Sequence, residues 1–188
     1  MLWIALSWTA FYGLHSLLLL DGVRLRIMGA FSLEPRQYRL AYNVISAITL
    51  LIAFWVTWKV PSTPLFDQNG FIRVIGLFGM LSGAWLAKRA FRSYSFPEFM
   101  GLHEETQMPL NIQGMNRYMR HPLYTASLMV FWSAVLFFAT MTMLLIALIT
   151  TVYVQVGYRL EEKRMVRHFG KTYEEYQKQV PPLFPRWR

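Results

Sequence analysis

Between His121 and Arg159 the chain carries no charged side chain: Pro122 to Tyr158 is an uncharged run of 37 residues. Laid out as one helix it would extend about 55 Å, whereas the hydrocarbon core of a bilayer is about 30 Å thick. The run therefore predicts two membrane helices folded into a hairpin, which returns the chain to the side it left. Arg120-His121-Pro122-Leu123-Tyr124 precedes the hairpin, and Glu161-Glu162-Lys163-Arg164 follows it. A basic string and an acidic pair then meet at one membrane surface, and that meeting point is the candidate site. The turn is expected near Ala139-Thr140, although no Gly, Pro or Asn marks it.

The rest of the chain repeats this apolar pattern. The fold class is all-α: a polytopic integral membrane protein with five transmembrane helices and a cytosolic C-terminal helix, in a single domain over residues 1–188. The spans are expected at about 2–20, 40–60, 71–87, 123–138 and 141–158. The first lacks a basic segment before it and a small-residue cleavage site after it, so it reads as an anchor and not a signal peptide. Residues 21–39 read as a loop with a break at Pro35, and Pro61-Ser62-Thr63-Pro64 with Asp67-Gln68-Asn69-Gly70 as a tight connection. Residues 92–121 are a long polar segment, of the kind that in a compact chain is usually functional. Residues 159–180 read as a polar amphipathic helix stopped by Pro181-Pro182.

Charge excludes some functions and orients the chain. A soluble protein of net charge +9 would point to nucleic acid, but here the basic residues lie between apolar segments. The anionic inner surface of a membrane is the simpler partner, with no nucleic acid. Lysine and arginine number four in residues 21–39, five in 88–120 and eight in 159–188, against only Lys59 and Arg73 elsewhere. By the positive-inside rule the N-terminus lies outside and the C-terminus in the cytosol, as five spans require. The expected location is a bacterial inner membrane. There is no cysteine, so thiolate chemistry is excluded. The four histidines (15, 103, 121 and 168) are scattered, and no metal site is expected.

Each candidate motif carries a chemical and a plain reading. His121-Pro122 opens the fourth span, with proline at the first helical position where its missing N–H costs nothing. Free backbone N–H groups there, with Arg117 and Arg120 nearby, suit a carboxylate or phosphate; membrane insertion alone also produces such a start. Glu161-Glu162 could grip an ammonium or ribose hydroxyls, or form a solvated face with Glu161 paired to Arg164. Together the two ends would suit a zwitterionic ligand. His15, beside Ser16 inside the first span, either reaches the interface or lines a cavity. Gly76, Gly79 and Gly83 read as close-packing positions, and Tyr38, Tyr42 and Asn43 as interface anchors.

The pattern Gly114-x-x-Arg117-x-x-Arg120-His121-Pro122-x-Tyr124, an apolar hairpin, Glu161-Glu162 and then Phe169-Gly170-x-x-Tyr173-x-x-Tyr176-x-x-x-Val180-Pro181 resembles the isoprenylcysteine carboxyl methyltransferase and phospholipid N-methyltransferase superfamily. The resemblance covers about residues 75–185. Its members are membrane enzymes that use S-adenosylmethionine, giving S-adenosylhomocysteine, without a dinucleotide-type domain. It implies a cofactor-binding role for Arg120, His121, Pro122, Tyr124, Tyr158, Glu161 and Glu162. Ala126 stands where many relatives have Gly. The N-terminal half, through Tyr12-Gly13-Leu14-His15-Ser16 and Tyr38-Arg39-Leu40-x-Tyr42-Asn43, is more similar to the NnrU-like and methanethiol S-methyltransferase branch.

The implied reaction is direct displacement at an activated methyl, for which the protein positions the reactants and excludes water. The acceptor is expected to be membrane-associated or small and apolar: a prenylcysteine-like carboxylate, a lipid amine or a thiol. A carboxylate acceptor would want an arginine such as Arg117 or Arg92. A thiol or ammonium must first lose a proton, to which His103, His15 or Glu104 could contribute. The rival reading is a non-catalytic membrane accessory protein of the same fold. A transporter is opposed by the lack of ionisable residues midway through spans two to five, and a related membrane reductase by the small number of spans.

Overall fold

The computed structural model describes residues 1–92 and 110–185. Among them the secondary structure is seven α-helices and one 3₁₀ turn: α1 (Leu2–Leu19), α2 (Asp21–Phe31), α3 (Pro35–Lys59), α4 (Gly70–Phe91), the turn (Gly114–Arg117), α5 (Pro122–Phe138), α6 (Met141–Phe169) and α7 (Lys171–Gln179). Helices α1, α3, α4 and α6 are long and apolar enough to cross a membrane, and α5 is a shorter apolar helix. Much apolar surface faces outward, as with Trp58 at 81% and Phe78 at 72% exposure. An apolar exterior on this scale is what lipid, not water, stabilises, and the chain is an integral membrane protein.

The described residues separate into two compact units, residues 1–62 and residues 63–92 with 110–185. In the first, α1 packs along α3 and α2 touches both. Trp8 is buried, sits edge-on to Phe54 at 5.3 Å between ring centres, and donates its indole N–H to Thr57 Oγ1 at 2.9 Å. The Tyr38 hydroxyl donates to the Leu18 carbonyl at 2.6 Å, satisfying a carbonyl that the end of α1 leaves open.

The expected loop over residues 21–39 is helical instead. Asp21 stands in the first turn of α2, where a carboxylate favours the helix dipole. Pro35 does not break a loop; it is the first residue of α3, whose start is fixed by the Glu34 N–H donating to Gln37 Oε1 at 2.9 Å. The expected separate helix over 159–180 also differs. α6 runs unbroken from the apolar segment through Arg159 to Phe169, and the chain turns at Gly170, which adopts φ +56°. At 29 residues α6 is about 44 Å long, so it extends beyond any bilayer core.

In the second unit α4 packs most extensively on α5, and α5 on α6. Gly76, Gly79 and Gly83 line α4 against α5: a Cβ on Gly76 would stand 2.6 Å from Phe137 N, and one on Gly83 3.1 Å from Ala126 O. The hairpin turn falls at Ala139, which takes a left-handed φ of +50° without being glycine. Its conformation is held from outside. Leu65 N–H donates to Ala139 O at 2.7 Å, Met141 N–H to Thr63 O at 3.0 Å, and Gln68 Nε2 to the carbonyls of Leu136 and Phe137.

Candidate functional site

Polar side chains of the second unit converge where α5 begins, α6 leaves its apolar segment and residues 180–183 return. Arg120 directs Nε and Nη2 to a single oxygen, Glu162 Oε1, at 2.6 and 2.5 Å. Its Nη1 donates to the carbonyls of Gln177 and Val180. His121 Nε2 lies 3.2 Å from the same Glu162 oxygen, and its Nδ1 lies 3.8 Å from Glu161 Oε2. Gln177 Nε2 donates to the other Glu162 oxygen at 3.1 Å. The basic and acidic strings that flank the hairpin thus meet directly.

The two carboxylates differ in what is left for a ligand. Glu162 is largely buried, whereas Glu161 keeps 39% of its side chain exposed. Burial works to raise the Glu162 pKa, but hydrogen bonds from His121 and Arg120 and their charges outweigh it and hold the carboxyl below its ordinary value. In the opposite sense, burial first and then the negative charge of Glu162 raise the Tyr173 phenol, keeping it neutral.

Residues 180–183 form a strap over the start of α5. Arg120 N–H donates to Pro181 O and His121 N–H to Pro182 O, both at 2.9 Å. Thr125, fully buried, donates from Oγ1 to Leu183 O at 2.5 Å. The Leu183 side chain packs into a cluster with Leu128 and Val154, edged by Tyr124, Tyr153 and Tyr158. α7 supports this arrangement from beneath. Tyr173 and Tyr176, spaced i and i+3, are both buried, and the Tyr176 hydroxyl donates to Asn116 O at 2.5 Å.

Pro122 occupies the first position of α5 and is buried. It has no N–H, and the His121 N–H is taken by the strap, so two of the donors that a helix start leaves open are accounted for. The His121 ring stands between Tyr124 and Tyr158, at 5.6 and 5.7 Å between centres and tilted about 40° from both. Gly157 lies one turn before Glu161 on α6, and a Cβ there would come 3.3 Å from the Tyr124 hydroxyl. On the other side of α6, Arg159, Glu162, Lys163, Val166 and Arg167 with Gln177 of α7 line an open cleft of about 570 Å³.

Of the residues expected from sequence, Arg120, His121, Pro122, Tyr124, Tyr158, Glu161 and Glu162 come together here. Arg117 is exposed in the 3₁₀ turn, and Arg92 is exposed at the end of α4. His15 belongs to the first unit, where its ring nitrogens lie 2.9 Å from the Tyr42 hydroxyl and Nδ1 lies 3.2 Å from Ser46 Oγ. His103 and Glu104 fall outside the described residues. Thr125, Gln177 and the strap carbonyls were not anticipated. Each lies beside a quoted motif: Gln177 next to Tyr173-x-x-Tyr176, Thr125 next to Tyr124, and the strap at Val180-Pro181-Pro182.

An all-helical membrane protein whose polar centre joins the two ends of an apolar hairpin is the class that fold and site define. The chain belongs to the phospholipid methyltransferase family, which it matches over residues 71–172. It is 42% identical over 170 residues to methanethiol S-methyltransferase of Pseudomonas deceptionensis, covering 80% of this chain and 60% of that one. It is 29% identical over 157 residues to the Crocosphaera subtropica protein of the same name, covering 78% and 60%. A probable protein-S-isoprenylcysteine O-methyltransferase of Oryza sativa subsp. indica is 30% identical over 131 residues, covering 65% of each. The chain spans about three fifths of the length of the curated relatives it matches first. No solved structure matches it.

Proposed function

We propose that this chain is an integral membrane methyltransferase that uses S-adenosylmethionine to methylate a small apolar acceptor, with a thiol favoured over a prenylcysteine-like carboxylate or a lipid amine. The observation that carries the reading is the division of labour between the paired carboxylates. Glu162 is spent on Arg120 and His121, and Glu161 remains half-exposed beside His121. The preference for a thiol rests on the relatives named methanethiol S-methyltransferase.

The residues present fit that cofactor. Glu161 offers a carboxylate for an ammonium, and the start of α5, at the positive end of the helix dipole, suits a carboxylate. The faces of Tyr124 and Tyr158 beside His121 suit a sulfonium, whose positive charge is attracted by aromatic rings. Once bound, S-adenosylmethionine supplies a methyl group on a sulfonium, which leaves as a neutral thioether holding the electrons of the broken bond. Arg120 and the strap fix His121 and Glu162, so the site needs little reorganisation. A thiol acceptor must lose its proton before its sulfur attacks. An apolar acceptor would arrive from lipid, and an apolar groove of about 410 Å³ on α4 and α5, lined by Leu81, Ser82, Trp85, Leu86 and Met129, supports such a route.

In this reading α5 also crosses the membrane, giving five spans, with the N-terminus outside and the site on the cytosolic side of a bacterial inner membrane. At 17 residues α5 is about 26 Å long, at the short end of what spans a bilayer. Calorimetric titration of the detergent-purified protein with S-adenosylmethionine and S-adenosylhomocysteine is the test. Binding that Glu161→Ala weakens, followed by methylation of small thiols, supports the proposal. Absence of binding by folded protein moves the reading to a non-catalytic accessory protein.

A further inference from the structure

The cleft on the far side of α6 differs in chemistry from the site above. Arg159, Lys163 and Arg167 are spaced i, i+4 and i+8, so they form one stripe along the helix beyond its apolar segment. Tyr124, Gly157 and Glu161 belong to another flank: Glu161 and Lys163 point about 160° apart around the axis. The Arg120–Glu162–Gln177 bonds stand between the two flanks.

The charge of this cleft is not balanced. Among the described residues that line it, the one acidic side chain, Glu162, is engaged by Arg120 and His121. Lys163 and Arg167 are exposed, and among the described residues no carboxylate pairs with either. Arg159 is already oriented, its Nη1 donating to Gln155 O at 3.1 Å and its guanidinium lying 5.3 Å from the Tyr158 ring centre. The position along α6 is equally specific. Tyr158 ends the uncharged run and Arg159 is the first charge after it. The cleft therefore opens where the helix passes from hydrocarbon to headgroups, and Lys163 and Arg167 reach about 6 and 12 Å further out.

The geometry points to a binding site for the headgroup of an anionic phospholipid, with its phosphate held by Arg159, Lys163 and Arg167 and its acyl chains in the adjoining bilayer. The bound lipid is a resident ligand and not the methyl acceptor. A zwitterionic headgroup is a poorer match, because its ammonium would find only Glu162, whose charge is already engaged. Each basic side chain near a membrane surface contributes about 1 kcal/mol toward anionic lipid, so three on one stripe are enough to select it.

Native mass spectrometry of the full chain, titrated with phosphatidylglycerol or phosphatidylcholine, tests this. The unmodified protein is expected to retain phosphatidylglycerol preferentially. Lys163→Gln with Arg167→Gln is expected to weaken that retention about 30-fold, while the matched charge loss Arg164→Gln with Lys171→Gln, outside the cleft, leaves it intact. Both pairs are exposed, and a thermal melt in detergent verifies that each double variant is folded. Equal retention of the two lipids, or equal losses from the two double variants, would overturn the assignment. So would displacement of phosphatidylglycerol by millimolar inorganic phosphate, since the cleft would then take a soluble anion.

Discussion

Arg120 and Glu162, 42 positions apart, meet through two guanidinium nitrogens on one carboxylate oxygen, and both side chains are nearly out of solvent, at 7% and 13% exposure. Removing one partner of a buried pair strands the other, at a cost of about 3–5 kcal/mol. Glu162→Ala is therefore expected to lower the thermal midpoint in detergent markedly. Glu161→Ala, at a half-exposed position, should leave the midpoint nearly unchanged while reducing affinity for S-adenosylmethionine. Melting curves and calorimetry on the same two variants separate the roles.

The pH dependence of stability follows from the same pair. Glu162 is held below its ordinary pKa of 4.5 in the folded protein. A depressed carboxyl stabilises the fold fully above its unfolded pKa, and that contribution is lost as pH falls through the folded value. The melting temperature should be insensitive to Glu162 near neutrality and drop as acid takes pH below about 4.5. Glu162→Gln should flatten that drop in melts from pH 7 to 3.

The helix α4–α5 contact predicts a contrast between two glycines. A Cβ on Gly76 would meet Phe137 N at 2.6 Å and Ser133 O at 2.9 Å, backbone atoms that cannot rotate away. Gly76→Ala must push the helices apart, at about 1–3 kcal/mol. A Cβ on Gly157 meets the movable Tyr124 hydroxyl at 3.3 Å. Gly157→Ala should unfold at nearly the unmodified temperature and act mainly on ligand affinity.

Much of this architecture was legible in sequence, for reasons that also explain the failures. The uncharged run fixed a hairpin because length alone forbids one straight span. Its turn at Ala139-Thr140 followed from length too, since the contacts that hold it come from Leu65 and Gln68 and leave no mark on the turn itself. α2 was missed because residues 21–39 read as a loop broken at Pro35, although Pro35 is the first residue of a helix, where its missing N–H costs nothing. The end of α6 was placed at the change of polarity, not at Gly170, where the backbone turns. The side chains of the site were visible as types at a spacing. The strap was not, because its bonds run through the carbonyls of Pro181, Pro182 and Leu183, and a backbone carbonyl carries no residue signature.

Thr125 tests the strap directly. Thr125→Val keeps the shape but leaves Leu183 O without its buried donor, a loss of about 1–3 kcal/mol. The expected result is faster cleavage near residues 180–185 in limited proteolysis, with weaker cofactor binding and an intact hairpin.

The strap also separates two events in the life of the chain. Contacts within the α5–α6 hairpin are local, so it can enter lipid as soon as both helices exist. Thr125 and Leu183 lie 58 positions apart, and Arg120 and Val180 lie 60 apart. Their union waits for the chain to emerge, turn at Gly170 and fold back. A hairpin can thus be complete before its polar centre exists, because that centre is closed by a part of the chain that is made later.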